Sequence, residues 1–189
     1  MSQNANPRYH RFFEGYTEQY EELPNGKKKI RRIYTGTLYD QDLSRQKKIR
    51  YRLLYWLAFL GSVAAFILSA TVPAATNLAK LCAVPTIAAV FLYLWAAIDL
   101  IYYSSMKPRT IYEYRLSHTE LLRSTLALTI CHIVGLLLHL ILMFANRGWS
   151  ASSEYLTLAF LATSALLAFA LFRAEKHCTY TKHESVPST

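Results

Sequence analysis

The stretch Leu121–Ala145, LLRSTLALTICHIVGLLLHLILMFA, decides how this chain is read. A hydrocarbon core of about 30 Å takes roughly 20 helical residues, and this run is long and apolar enough to supply them. Its membrane-embedded part is expected at Thr125–Ala145, and three further blocks share its character: Leu53–Val72, Leu81–Tyr103 and Tyr155–Phe172. The expected fold is therefore an all-α integral membrane protein. Four transmembrane helices would form an up-down bundle, with a small cytosolic β-hairpin ahead of them.

The third block is also the only one whose interior keeps several strongly polar groups at helical spacing. Thr125, Thr129, His132 and His139 fall within an arc of about 80° when each residue turns about 100°. Asp99, near the inner end of the second block, is the one acid at comparable depth, and an Asp99–His132 contact is expected if those two spans pack. Together the five form a polar seam that could relay protons or line a polar passage. The competing reading is interhelical hydrogen bonding by neutral imidazoles, at roughly 0.6 kcal/mol per bond on average. A metal is not expected. His132 and His139 are two turns apart, about 10 Å along the axis, too far to share a zinc ion whose ligands stand about 2 Å away.

Charge gives the orientation. Lys and Arg gather on the cytoplasmic side of short loops. Segment 1–52 holds 12 of the 21 basic residues, loop 104–124 holds 4 and tail 173–189 holds 3. With four spans these segments share a side, so both termini are expected in the cytoplasm of a plasma-membrane protein. No cleavable signal peptide is expected, because the first apolar run begins only after 52 mostly polar residues.

Within segment 1–52, Asn25-Gly26 predicts a tight hairpin turn, since both positions tolerate positive φ. The acidic arm Tyr16–Leu23 (Glu18, Glu21, Glu22) would face the basic arm Lys27–Thr37, with favourable cross-strand charge pairs. Ser44 is the expected N-cap of a helix that runs straight into the first span. Its first turns carry Arg45, Lys47, Lys48, Arg50 and Arg52, a patch for anionic lipid headgroups or a partner at about 1 kcal/mol per cation. The same five residues also fit an ordinary positive-inside stop. Nucleic acid is not an expected partner, because acids interleave the basic run.

In the first span Ala58, Ser62, Ala65 and Ser69, with Gly61, make a small-residue face for close helix packing. The short turn after Val72-Pro73 predicts that spans one and two are antiparallel neighbours. Tyr51, Tyr55, Trp56, Tyr93, Trp95, Tyr102 and Tyr103 read as interfacial belt aromatics. In loop 104–120, residues Thr110–Leu116 look extended and able to pair with the hairpin, and Ser117-His118-Thr119-Glu120 fits a capping box starting the third helix. Tail 173–189 is polar and aperiodic, and is expected to be loose.

Chemistry-bearing motifs are scarce. Cys82 and Cys131 lie in different spans and Cys178 in the tail, with no C-x-x-C spacing. There is no P-loop, G-x-G-x-x-G, H-E-x-x-H or G-x-S-x-G. No catalytic residue and no cofactor is expected. The reading that follows is a non-enzymatic subunit, scaffold or regulator of a membrane complex, working through its cytosolic face with a protein partner. The alternative is a small oligomeric transporter or channel using the His/Asp seam.

Overall fold

The computed structural model describes residues 14–22, 28–78, 80–105, 107–145 and 152–184. Strands β1 (Tyr16–Glu22), β2 (Lys28–Tyr34) and β3 (Thr37–Gln41) come first, then helices α1 (Arg45–Thr71) and α2 (Lys80–Tyr103). Helix α3 (Ile111–Ala145), helix α4 (Ser152–Lys176) and strand β4 (Tyr180–Glu184) complete the chain. Among the described residues these four helices are long and apolar enough to cross a membrane.

The hairpin forms in the register that its charges favour. Glu18 faces Arg32, Glu21 faces Lys29 and Glu22 faces Lys28, and Arg32 Nε reaches Glu18 Oε1 at 3.0 Å. The Asn25-Gly26 turn lies outside the described residues. Helix α1 begins at Arg45 with Ser44 at its N-cap in extended geometry, though the serine hydroxyl makes no capping bond. Val72 closes that helix ahead of Pro73.

The order of packing departs from the expectation that spans one and two are neighbours. Helix α1 lies mainly on α4 and α2 mainly on α3, while the α1 and α2 backbones come close at few points and meet chiefly through long side chains, Tyr55 on Tyr103 and Phe59 on Tyr93. The reason is surface shape. Ser62, Ala65 and Ser69 of α1 are buried against a matching face of α4 that includes Ser164, Ala165 and Ala168. Small residues let the backbones close up: Ser62 Oγ donates to the Ser164 carbonyl at 3.0 Å, and Ser164 Oγ returns a bond to the Ser62 carbonyl at 3.0 Å. A short connector only brings two helix ends together and does not choose the packing face.

Loop 104–120 is largely helical rather than extended. Helix α3 starts seven residues before the expected His118, because Thr110-Ile111-Tyr112-Glu113 carries the same capping-box pattern upstream. Glu113 N–H donates to Thr110 Oγ1 at 3.3 Å, and Thr110 N–H donates to Glu113 Oε2 at 2.9 Å. Residues Arg115–Glu120 continue as a π-helical segment into Leu121, so Ser117 is an interior position, fully buried, and not a cap. Among the described residues of this loop only Arg109 pairs as strand, bridging Tyr39 of β3.

The tail is a second correction. Residues 173–176 finish α4, and β4 pairs antiparallel with β3, from Thr37 opposite Glu184 to Gln41 opposite Tyr180. Its register comes from partners about 140 residues away, which local periodicity cannot reveal. The belt reading also divides: Trp95 and Tyr102 are exposed, whereas Tyr55, Tyr93 and Tyr103 are core side chains with bonded hydroxyls.

Candidate functional site

Each helix contributes one residue to a polar node inside the bundle. His132 Nε2 of α3 lies 2.9 Å from Tyr93 OH of α2 and 3.0 Å from Ser164 Oγ of α4. Ser62 Oγ of α1 lies 2.7 Å from Tyr93 OH. All four side chains are buried, and each polar group finds another, which is the condition for keeping such groups out of water. The node clips the four helices together at one level.

Asp99 does not meet His132. Its Oδ2 accepts from Ser124 Oγ at 2.9 Å, and its Oδ1 is buried with no partner among the described residues. Tyr93 and Asp99 are six residues apart on α2, and Ser124 and His132 eight apart on α3, so the two polar pairs stand about 9–12 Å apart along the axis. Ala96 and Leu128, both buried, occupy the interval. Thr125 and Thr129 turn their hydroxyls back to their own helix, donating to the Leu121 carbonyl at 2.6 Å and the Thr125 carbonyl at 2.8 Å. The five residues thus share a buried face without forming one hydrogen-bonded line. His139, further along, is buried with Nδ1 unpartnered among the described residues. Near it in the chain order of the helix ends, Glu154 at the start of α4 accepts from the backbone N–H of Thr76 at 3.3 Å and from the Thr76 hydroxyl.

The densest polar cluster is at the other end, where α1 begins and α4 ends. Glu175, with no exposed surface, accepts from Tyr55 OH at 3.0 Å, His118 Nδ1 at 2.6 Å and Tyr180 OH at 2.8 Å. Arg109, also buried, donates to Tyr180 OH and Ser117 Oγ, each at 3.0 Å, and to the Tyr103 carbonyl at 2.9 Å. Its guanidinium lies over the Tyr103 ring, 4.9 Å from the centroid, and Tyr103 stacks on Tyr55 at 4.6 Å. Gln41 Nε2 of β3 donates to Tyr103 OH at 2.9 Å. Burial pushes the Tyr180 phenol well above the ordinary tyrosine value, and the Glu175 carboxylate beside it adds to the rise. Burial likewise raises the Cys178 thiol, with Glu175 again contributing. The cluster joins α1, α2, α3, α4, β3 and β4 through one carboxylate and one guanidinium.

Of these cluster residues the sequence points to Tyr55, Tyr103, Ser117 and His118, each in another role. Glu175 and Tyr180 lay in a tail expected to be loose, and Arg109 was counted only as loop charge. The available signal was a lone acid directly after an apolar run with Arg and Lys beside it, which is too common to stand out.

The basic patch is smaller than expected. Lys48 Nζ is tied to Asp40 at 2.7 Å. Arg52 is only 9% exposed and donates to the Ser105 carbonyl at 2.6 Å. Arg45, Lys47 and Arg50 remain exposed. Among the described residues no group of three or more His, Cys, Asp or Glu side chains is placed to hold a metal ion. Comparison with protein-family models, curated proteins and solved structures finds no match to this chain.

Proposed function

We propose that this chain is a multi-pass plasma-membrane protein, arranged as an up-down four-helix bundle with both termini in the cytoplasm. It acts without catalysis, as a subunit, scaffold or regulator of a membrane complex, through its cytosolic face. The β1–β2 ribbon carries this reading. Tyr20 and Ile30 face each other across it, 66% and 50% exposed, where an unpartnered soluble surface would favour polar residues. Its root is held firmly: the backbone N–H of Ile111 donates to Tyr34 OH at 3.0 Å, and Arg115 pairs with Glu14 at 3.1 Å. A ribbon fixed at its base that exposes Tyr20 and Ile30 suits protein recognition, while Arg45, Lys47 and Arg50 face anionic headgroups.

The test is purification of the full chain in mild detergent, with the mass of the intact particle measured. A stoichiometric second protein that is lost on combining Tyr20→Ser with Ile30→Ser supports the reading. A particle containing this chain alone, or one indifferent to the double variant, sinks it.

One observation favours a second reading, that of a small oligomeric transporter or channel: the buried, unpartnered Oδ1 of Asp99. Intramembrane acids of this kind commonly serve ion or proton paths. Proteoliposome flux that disappears in Asp99→Asn, His132→Leu and His139→Leu would support it, and flux surviving all three would end it.

A further inference from the structure

Where α1 begins and α4 ends, a cavity of about 180 Å³ opens between them, lined by Leu43, Tyr51, Ala174, His177, Cys178 and Thr179. It is reachable from outside, because Tyr51, His177 and Thr179 all keep exposed surface. The Tyr51 hydroxyl, the Thr179 hydroxyl and the His177 ring make no hydrogen bond among the described residues. The Cys178 thiol is engaged, since Gln41 Nε2 donates to its Sγ at 3.6 Å. Three side chains that can donate therefore wall one space with their polar groups uncommitted. The depth is that of lipid headgroups. The apolar run of α1 begins at Leu53 and that of α4 ends at Phe172. At about 1.5 Å per residue, Tyr51 lies about 3 Å and His177 about 7.5 Å beyond the hydrocarbon, inside a headgroup layer about 5–8 Å thick. The N-terminus of α1 and the C-terminus of α4 meet here, and their opposite partial charges offset each other. Side chains therefore set the sign. Lys47 stands one turn before Tyr51 and Arg173 one turn before His177, on the same helix faces. Both are exposed, and neither has an ion-pair partner among the described residues. Against them stands Asp42, also exposed, whose backbone N–H donates to the Thr179 carbonyl at 3.1 Å.

We propose that this cavity holds the phosphate of an anionic phospholipid whose chains lie in the bilayer beside α1 and α4. The site rests on the membrane reading of the four helices and is independent of the ribbon and its partner. Tyr51, Thr179 and His177 donate to the phosphate oxygens, Lys47 and Arg173 supply charge at the rim, and Leu43 and Ala174 meet the glycerol carbons. The volume suits that division. It has room for about six waters at roughly 30 Å³ each, enough for a phosphate and its glycerol. It falls below the roughly 300–1,000 Å³ of clefts that enclose whole small molecules, as expected where the acyl chains stay outside.

The experiment uses the full chain in maltoside micelles, titrated with dioctanoyl phosphatidylglycerol, with dioctanoylglycerol and inorganic phosphate as comparators. Bound ligand is counted on the intact particle by native mass spectrometry. One phosphatidylglycerol per chain should bind saturably, and both comparators at least about tenfold more weakly. Tyr51→Phe combined with Thr179→Val removes two hydroxyls that the fold does not use. Unfolding titrations should therefore be unchanged, while affinity falls at least about tenfold, the worth of one hydrogen bond to a charged acceptor. Lys47→Gln should lower affinity about fivefold. Arg123→Gln, which removes an equal charge paired with Glu120 on α3, should leave it unchanged. No saturable lipid, affinity unchanged in the double variant, or an equal loss in Lys47→Gln and Arg123→Gln overturns the site. Dioctanoylglycerol binding as tightly as the phospholipid overturns the phosphate assignment, and inorganic phosphate binding as tightly overturns the lipid assignment. Retention of the chain in liposomes through an alkaline wash tests the spans separately. An empty cavity in a retained chain overturns the site alone, and a chain washed off overturns the membrane reading with it.

Discussion

Among single residues, Glu175 carries the most. Three donors converge on it from α1, α3 and β4, and truncation would orphan the buried Tyr55 hydroxyl together with the half-buried His118 and Tyr180. Glu175→Ala is expected to cost about 3 kcal/mol or more, since each buried group left unsatisfied costs about 1–3 kcal/mol. Glu175→Gln, which keeps an acceptor oxygen, should cost clearly less. Unfolding titrations in mixed micelles measure both. His132 should be far more forgiving, because Tyr93, Ser62 and Ser164 still bond one another without it. His132→Leu is expected to cost only about 1 kcal/mol, near the average for polar contacts within a membrane bundle. Tyr180 supplies a pH signature. Its phenol is held above the ordinary value, chiefly by burial and next by Glu175, so the folded state favours the protonated form. That contribution is whole below about pH 10, the unfolded phenol value, and is lost as pH rises toward the folded value. The stability of the wild type should therefore fall above about pH 10, and the fall should be shallower in Tyr180→Phe.

At the scale of elements, the start of α3 shows how a local rule can be right in kind and wrong in place. Two capping-box patterns stand seven residues apart, at Thr110/Glu113 and Ser117/Glu120, and the first one forms. Arg109 decides between them, since its backbone pairs with Tyr39 and its side chain occupies Ser117 Oγ. Thr110→Ala is expected to cost about 1 kcal/mol and to speed amide exchange at residues 111–114 while leaving the rest of α3 unchanged. The spans themselves were legible, because twenty consecutive apolar residues have few other uses. Which span packs on which was not, although the small-residue face of Ser62, Ala65 and Ser69 was visible. Its complement on α4, Ser164, Ala165 and Ala168, lies among many other small residues, and no one-dimensional rule matches two faces across a hundred residues. The polar stripe of α3 was legible as a stripe. Its partners were not, because the early start of α3 and the back-bonding of Thr125 and Thr129 shift depth and direction in ways that spacing does not record.

For the whole molecule, the main correction concerns the tail. Composition predicts a loose tail over residues 173–189, yet β4 and Tyr180 complete the cluster that joins helices and strands at one end. Removing residues 177–189 is expected to destabilise the bundle by about 2 kcal/mol or more, the sum of the Tyr180 bonds to Glu175, Arg109 and Gln41. A truncation as stable as the full chain in the same micelle titration would show that the pairing of β3 with β4 carries no weight.

The seating of α1 on α4 also sets a timetable. Of the four helices α1 must wait longest for its partner, because its small-residue face and the β3 edge are completed only by residues 152–184, which follow α2 and α3 in the chain. Until then α2 and α3 have each other to pack on, while α1 lacks the helix that covers its face. Contacts of such long sequence separation slow assembly and prolong exposure of half-made surfaces. Arrest of translation before residue 152 should therefore leave a protease-sensitive intermediate, and synthesis of residues 152–184 should be the step that locks the bundle shut.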